Sequence, residues 1–171
     1  MLERITELTE DLIRLIKDDP VRPEITADFR VKDGRVYVLR DDGTNEPQAV
    51  VCVKFCPEIP DSVESLANSI SSGTAAVFYT IWSYAAGAGQ RLISEAAADI
   101  KNSEPTVREY VTLSPKTEMA RRFHHKNGAS TYRENSDSVN YRYTEKINPA
   151  YKSHANDQAS AASTVDRATG L

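Results

Sequence analysis

The stretch AAVFYTIWS, residues 75–83, is the most apolar run of the chain, and Gly87-Ala88-Gly89 follows it almost at once. A run of this length is too short to cross a membrane, which takes roughly 18 or more apolar residues as a helix. Its aromatic and β-branched side chains suit a pleated surface, so it reads as a central strand. The glycine pair then opens a helix that carries Leu92, Ile93, Ala96, Ala97 and Ile100 on one side. A buried strand running through a tight turn into an amphipathic helix is the unit around which the other elements must be arranged.

Those elements can be placed in chain order. Residues 2–17 carry Leu2, Ile5, Leu8, Leu12, Leu15 and Ile16, a helical stripe closed by Pro20. Residues 29–32 and 35–40 read as strands joined at Asp33-Gly34, a two-residue hairpin signal. A second Asp-Gly turn follows at Asp42-Gly43. Residues 48–55 form a third strand, with Cys52 and Lys54 on one face and Val51, Val53 and Phe55 on the other. Asp61-Ser62 can cap a short helix reaching about residue 70. Residues 107–113 read as a strand, 117–126 as a helix ended by Gly128, and 129–132 and 138–143 as closing strands joined across 134–137. The predicted class is α/β (α+β), a mixed sheet with helices packed on its faces. From about residue 148 the chain holds little but Ala, Ser, Asp, Asn and Lys. Residues 148–171 are therefore expected to be a loosely held tail, and 1–147 a single domain.

A net charge of −4 argues against a general nucleic-acid binder, which usually presents a basic face. The acidic N-terminus, MLERITELTEDL, lacks the basic-then-apolar pattern of a signal peptide. With no membrane span expected, the cytoplasm is the expected compartment. Along a strand, Cys52 and Cys56 would stand roughly 13 Å apart, beyond the about 7 Å that a disulfide tolerates. No further His or Cys lies close to them in sequence, so they are expected to be structural and no metal site is expected.

The glycine turn has a chemical reading. At a helix start the first N–H groups lack intrahelical partners, and small residues let a ligand approach them. With the positive end of the helix dipole they make a cradle for a pyrophosphate. Gln90 or Arg91 could add a donor. The plainer alternative is that Gly87 and Gly89 only allow a tight strand-to-helix turn.

A second stretch, YVTLSPKTEMARRFHHKNGAS at 110–130, holds Ser114 and two of the three histidines, His124 and His125. Ser114 before Pro115 is a good helix cap. A helix starting at Pro115 would hold Ser114 and His124 about 15 Å apart. If Thr117 is the cap instead, the Ser114 loop can fold back toward the helix. His124 adjoins the apolar face of Met119, Ala120 and Phe123 and reads as a packing residue. His125 points about 100° further round and reads as solvated, as do Arg121, Arg122 and Lys126. Tyr141 alternates with Val139 and Tyr143, as in ordinary sheet packing.

The strand order and the GxG turn resemble the GNAT acyltransferases. Their Q/R-x-x-G-x-G/A pattern lines up with Tyr84-Ala85-Ala86-Gly87-Ala88-Gly89, with Tyr84 in place of the leading Gln or Arg. FYTI, the glycine turn with QRLI, TLSP, RFHHKNGA and VNYRY also recur, in this order, in a form similar to the catalytic domain of malonyl-CoA decarboxylase, itself GNAT-like. The resemblance spans about residues 47–151. It implies a GNAT-like, mainly antiparallel twisted sheet with helices on both faces. It implies an acyl-CoA substrate, malonyl-CoA or acetyl-CoA, with no permanently bound cofactor. Tyr84, Gly87, Ala88, Gly89, Gln90 and Arg91 would meet its phosphates. The catalytic serine would be Ser114, the catalytic histidine His124, and the site tyrosine Tyr141. The family's long segment between its serine and histidine motifs is reduced here to the nine residues between Ser114 and His124. Three activities follow as expectations: decarboxylation of malonyl-CoA, acetyl transfer from acetyl-CoA to an amine, or acyl-CoA binding without catalysis. An acetyltransferase also needs a base, and the central strand contains no Asp or Glu, leaving Glu118 or a water to serve.

Overall fold

The computed structural model describes residues 1–144 and 164–171. The elements are β1 (Leu2–Ile5), α1 (Glu10–Ile16), α2 (Ala27–Val31), β2 (Gly34–Arg40), β3 (Pro47–Cys56), a 3-10 turn (Glu64–Asn68), β4 (Ala75–Ala85), α3 (Ala88–Ser103), β5 (Glu109–Thr112), α4 (Glu118–Lys126), β6 (Ala129–Glu134), β7 (Val139–Tyr143) and β8 (Thr164–Gly170). Seven strands run β1-β2-β3-β4-β5-β7-β6, and β8 pairs with β4 off this path. The β4–β5 pair is parallel and the others are antiparallel.

The sheet buries both faces because its strands are apolar on both. One face carries Tyr37, Leu39, Val51, Val53, Phe55 and Phe78 against Leu92, Ile93, Ala96 and Ile100 of α3. The other carries Val36, Val38, Val50, Cys52, Val77, Tyr79 and Trp82 against Leu12 and Leu15 of α1 and Ala27 of α2. The alternation expected along β3 holds, and both cysteines are buried and free.

Three local expectations are corrected. Residues 2–17 are not one helix. Leu2–Ile5 pairs with β2, Leu2 opposite Leu39 and Ile5 opposite Val36. Thr9 then caps α1, its side chain accepting the Leu12 N–H at 3.1 Å. The i, i+3 spacing of Leu2, Ile5 and Leu8 was compatible with a helix, but pairing to β2 and a cap inside the stripe prevail. Second, residues 29–32 are not a strand. Thr26 caps α2, and Arg30 is held inside by Asp19 at 2.7 Å and by the carbonyls of Arg22 and Ile25. Third, Asp33-Gly34 is therefore a helix-to-strand turn rather than a hairpin. Asp33 adopts φ 49°, and a Cβ on Gly34 would lie 2.5 Å from the Val53 carbonyl oxygen. The Asp42-Gly43 turn does close a hairpin, β2 to β3, around Asp41, whose carboxylate accepts the N–H groups of Gly43 and Thr44.

The last residues of the tail expected to be loose, Thr164–Gly170, pair with β4. Residues 145–163 lie outside the described residues. No helix among the described residues is long and apolar enough to cross a membrane.

Candidate active site

β4 sets the site. Its register with β3 slips between Phe78 and Thr80, leaving Tyr79 as an extra residue, which is a β-bulge. β5 follows β4 only from Ala75 to Phe78, and its last link is the Leu113 N–H to the Phe78 carbonyl at 3.0 Å. There β5 turns away. Ser114 pairs instead with Val139 of β7, exchanging two N–H···O bonds of 2.9 Å. Arg22 sits at the fork. Its Nε donates to the Tyr79 carbonyl at 2.9 Å and its Nη2 to the Leu113 carbonyl at 2.8 Å. One planar guanidinium thus spans the two diverging strands.

Thr117, not Ser114, caps α4, accepting the Ala120 N–H at 3.2 Å. Gly128, at φ 97°, ends the run into β6. With the helix starting late, Ser114 is free to face its inner side, and Ser114 Oγ lies 3.1 Å from His124 Nε2. His124 Nδ1 lies 2.7 Å from the Tyr143 hydroxyl. Tyr141 stacks on the imidazole at 5.1 Å with 25° between the planes. The structure therefore brings Ser114, His124 and Tyr141 into one cluster. Thr112 and Tyr143 complete it, and neither stood out as a site residue in the sequence. Tyr143 could have been found as the second tyrosine on the same face of VNYRY.

The hydrogen bonds have a direction. Thr112 Oγ1 accepts the Tyr141 N–H at 3.0 Å and the Ser114 hydroxyl at 2.7 Å, while its own proton faces the Val139 carbonyl at 3.5 Å. With its proton so placed, Ser114 Oγ accepts from His124 Nε2–H. That leaves Nδ1 to accept the Tyr143 O–H. The result is a chain from Tyr143 through His124 and Ser114 to Thr112. Ser114 is 3% exposed and His124 1%. Burial, with a smaller contribution from His125, lowers the imidazole from its usual 6.5 to about 3, so His124 is neutral in this environment. Burial also raises the Tyr141 phenol above its ordinary value.

The glycine turn stands at the far end of β4. Gly87 takes φ 76° as the N-cap of α3, a conformation that costs glycine little. Ala88 and Gly89 are buried and Gln90 is half-buried. Arg91 pairs with Glu95 at 2.8 Å. The Tyr84 hydroxyl donates to Asp18 at 2.7 Å and accepts from Trp82 Nε1 at 3.0 Å. Glu118 is exposed and pairs with Arg121 and Arg122. His125, also exposed, lies 3.0 Å from Thr131 Oγ1. Among the described residues no group of three His, Cys, Asp or Glu could hold a metal ion.

The sequence matches no family model and, at a significant level, no curated protein. Solved structures do match. A malonyl-CoA decarboxylase from Agrobacterium vitis superposes with a TM-score of 0.69 at 20% identity, over 92% of this chain and 64% of that one. The loading GNATL domain of CurA from Lyngbya majuscula gives 0.61 at 13% identity, over 84% of this chain and 97% of that domain. The fold is that of the GNAT proteins. Arabidopsis thaliana NAA60, solved in complex with acetyl-CoA, gives 0.53 at 17% identity over 84% and 99%. This GNAT-fold chain thus spans slightly under two thirds of the Agrobacterium decarboxylase and nearly the whole length of the other two.

Proposed function

We propose that this chain binds acyl-CoA and decarboxylates malonyl-CoA to acetyl-CoA and CO₂. The observation that carries the reading is the buried Ser114–His124 contact at the fork of β4 and β5. The fork lies on the strand that leads to the glycine turn. A pyrophosphate at Gly87–Gln90 would meet the unpaired N–H groups and positive dipole of a 16-residue helix. An extended, amide-bearing arm laid along β4 would deliver its thioester toward the fork.

Decarboxylation breaks one C–C bond. CO₂ leaves, its electron pair becomes a thioester enolate, and the α-carbon then gains one proton. Ser114 would turn its hydroxyl from Thr112 to the developing oxyanion. His124 would give its Nε2 proton to carbon while taking the Tyr143 proton at Nδ1. This route needs no imidazolium, the species that burial opposes. Solvent would then supply a proton to Nε2 while Nδ1 returns its proton to the tyrosinate, which restores the starting tautomer.

Acetyl transfer to an amine is the second reading. It is favoured by the coverage of nearly the full length of NAA60, which was solved with acetyl-CoA bound. It is weakened by the absence of Asp and Glu from β4 and by the outward position of Glu118. Incubation with malonyl-CoA, with acetyl-CoA and CO₂ measured together, tests the first reading. Free CoA released from acetyl-CoA only when amines are added would support the second.

A further inference from the structure

The outer edge of β4 changes partners along its length. β5 holds it up to the Phe78 carbonyl. Beyond the fork β8 takes the same edge, with Thr169 opposite Ser83 and Gly170 opposite Trp82. The Leu171 N–H then donates to the Ile81 carbonyl at 3.1 Å. Leu171 therefore lies between the fork and the glycine turn. Its side chain reaches that turn: a Cβ placed on Gly89 would be 2.7 Å from Leu171 Cδ1 and 3.3 Å from Phe123 Cε2. Leu171 and Phe123 both pack against the core cluster that includes Tyr141 and Tyr143. The Phe123 ring meets the His124 ring edge-on at 5.0 Å.

We propose that β8 and Leu171 form an intramolecular latch that occupies the acyl-arm groove and must leave before an acyl-CoA can bind. This inference rests on the acyl-CoA reading above. A peptide strand and an amide-bearing arm would compete for the same backbone acceptors, the Ile81 carbonyl among them. The latch is weak by construction. Ala168, Thr169, Gly170 and Leu171 are only half-buried, and two of them carry almost no side chain to pack. Being tethered, it competes without dilution. A site latched nine-tenths of the time loses about tenfold in apparent affinity.

Calorimetric titration with acetyl-CoA tests this on three proteins: the full chain, a chain ending at residue 167, and Leu171→Pro, which lacks the N–H given to Ile81. The latch predicts at least tenfold tighter binding by the shortened chain and an intermediate gain for Leu171→Pro. Hydrogen exchange of the full chain should show the amides of Thr169 and Leu171 protected in the free protein and released on adding acetyl-CoA. Equal affinities, or amides that stay protected in the complex, would overturn the latch and leave the acyl-CoA reading intact. No binding by any of the three would remove that reading and the latch with it.

Discussion

At the residue scale the protonation of His124 is decided by burial. Its folded value is about 3 against about 6.5 when exposed. Between those values the unfolded chain binds a proton that the folded chain refuses. Stability therefore rises with pH through this window and is complete above about 6.5. Lowering the pH from 7 to 5 should cost about 2 kcal/mol from this group alone. Urea midpoints should show that loss, and His124→Gln should remove most of it. An unchanged slope in the variant would place the titrating group elsewhere. Tyr143 fixes the tautomer by its 2.7 Å contact with Nδ1. Tyr143→Phe should lower kcat by roughly 100-fold, the low end of a general acid–base contribution, with a smaller change in KM. Nitrogen NMR of the imidazole should show the Nε2–H tautomer in the parent and a mixture in the variant.

At the element scale the fork depends on a segment far from it in sequence. Asp19 accepts from Arg30, Thr80 and the N–H groups of Val21 and Arg22, and the Arg30–Asp19 pair is fully buried. Removing one member leaves a charge without its partner. Asp19→Ala should therefore destabilise by about 3–5 kcal/mol, read from the denaturant midpoint. Arg22→Ala should cost less stability but loosen the fork, lowering kcat/KM more than the unfolding midpoint would suggest. These links also explain what could be read in the sequence. β3, β4, α3 and α4 are long, periodic or sharply capped, and their alternation or cap residues announced them. β1 and α2 are short, and each owes its form to a distant partner: β2 for Leu2–Ile5, and Asp19 for Arg30. Local spacing carries neither fact.

At the scale of the whole molecule, the sheet with helices on both faces was legible because apolar residues recur on both sides of its strands. The grouping of Ser114, His124 and Tyr141 was legible only through the motifs TLSP, RFHHKNGA and VNYRY. Ser114 and His124 are ten residues apart, and spacing alone allowed either 15 Å or contact. The Thr117 cap decided for contact. The β8 pairing was not legible, because a tail rich in Ala, Ser, Asp and Thr has no strand pattern of its own and takes its form from the free edge of β4. The central claim is that this edge leads an acyl-CoA to a proton-delivering Ser114–His124 pair. Single-turnover reaction with malonyl-CoA in deuterated buffer tests it most directly. The account predicts singly deuterated acetyl-CoA and CO₂ from the parent, with the rate falling at least 100-fold in His124→Gln and Ser114→Ala while malonyl-CoA still binds. Malonyl-CoA bound and left intact by the parent, or turned over equally by both variants, would contradict it.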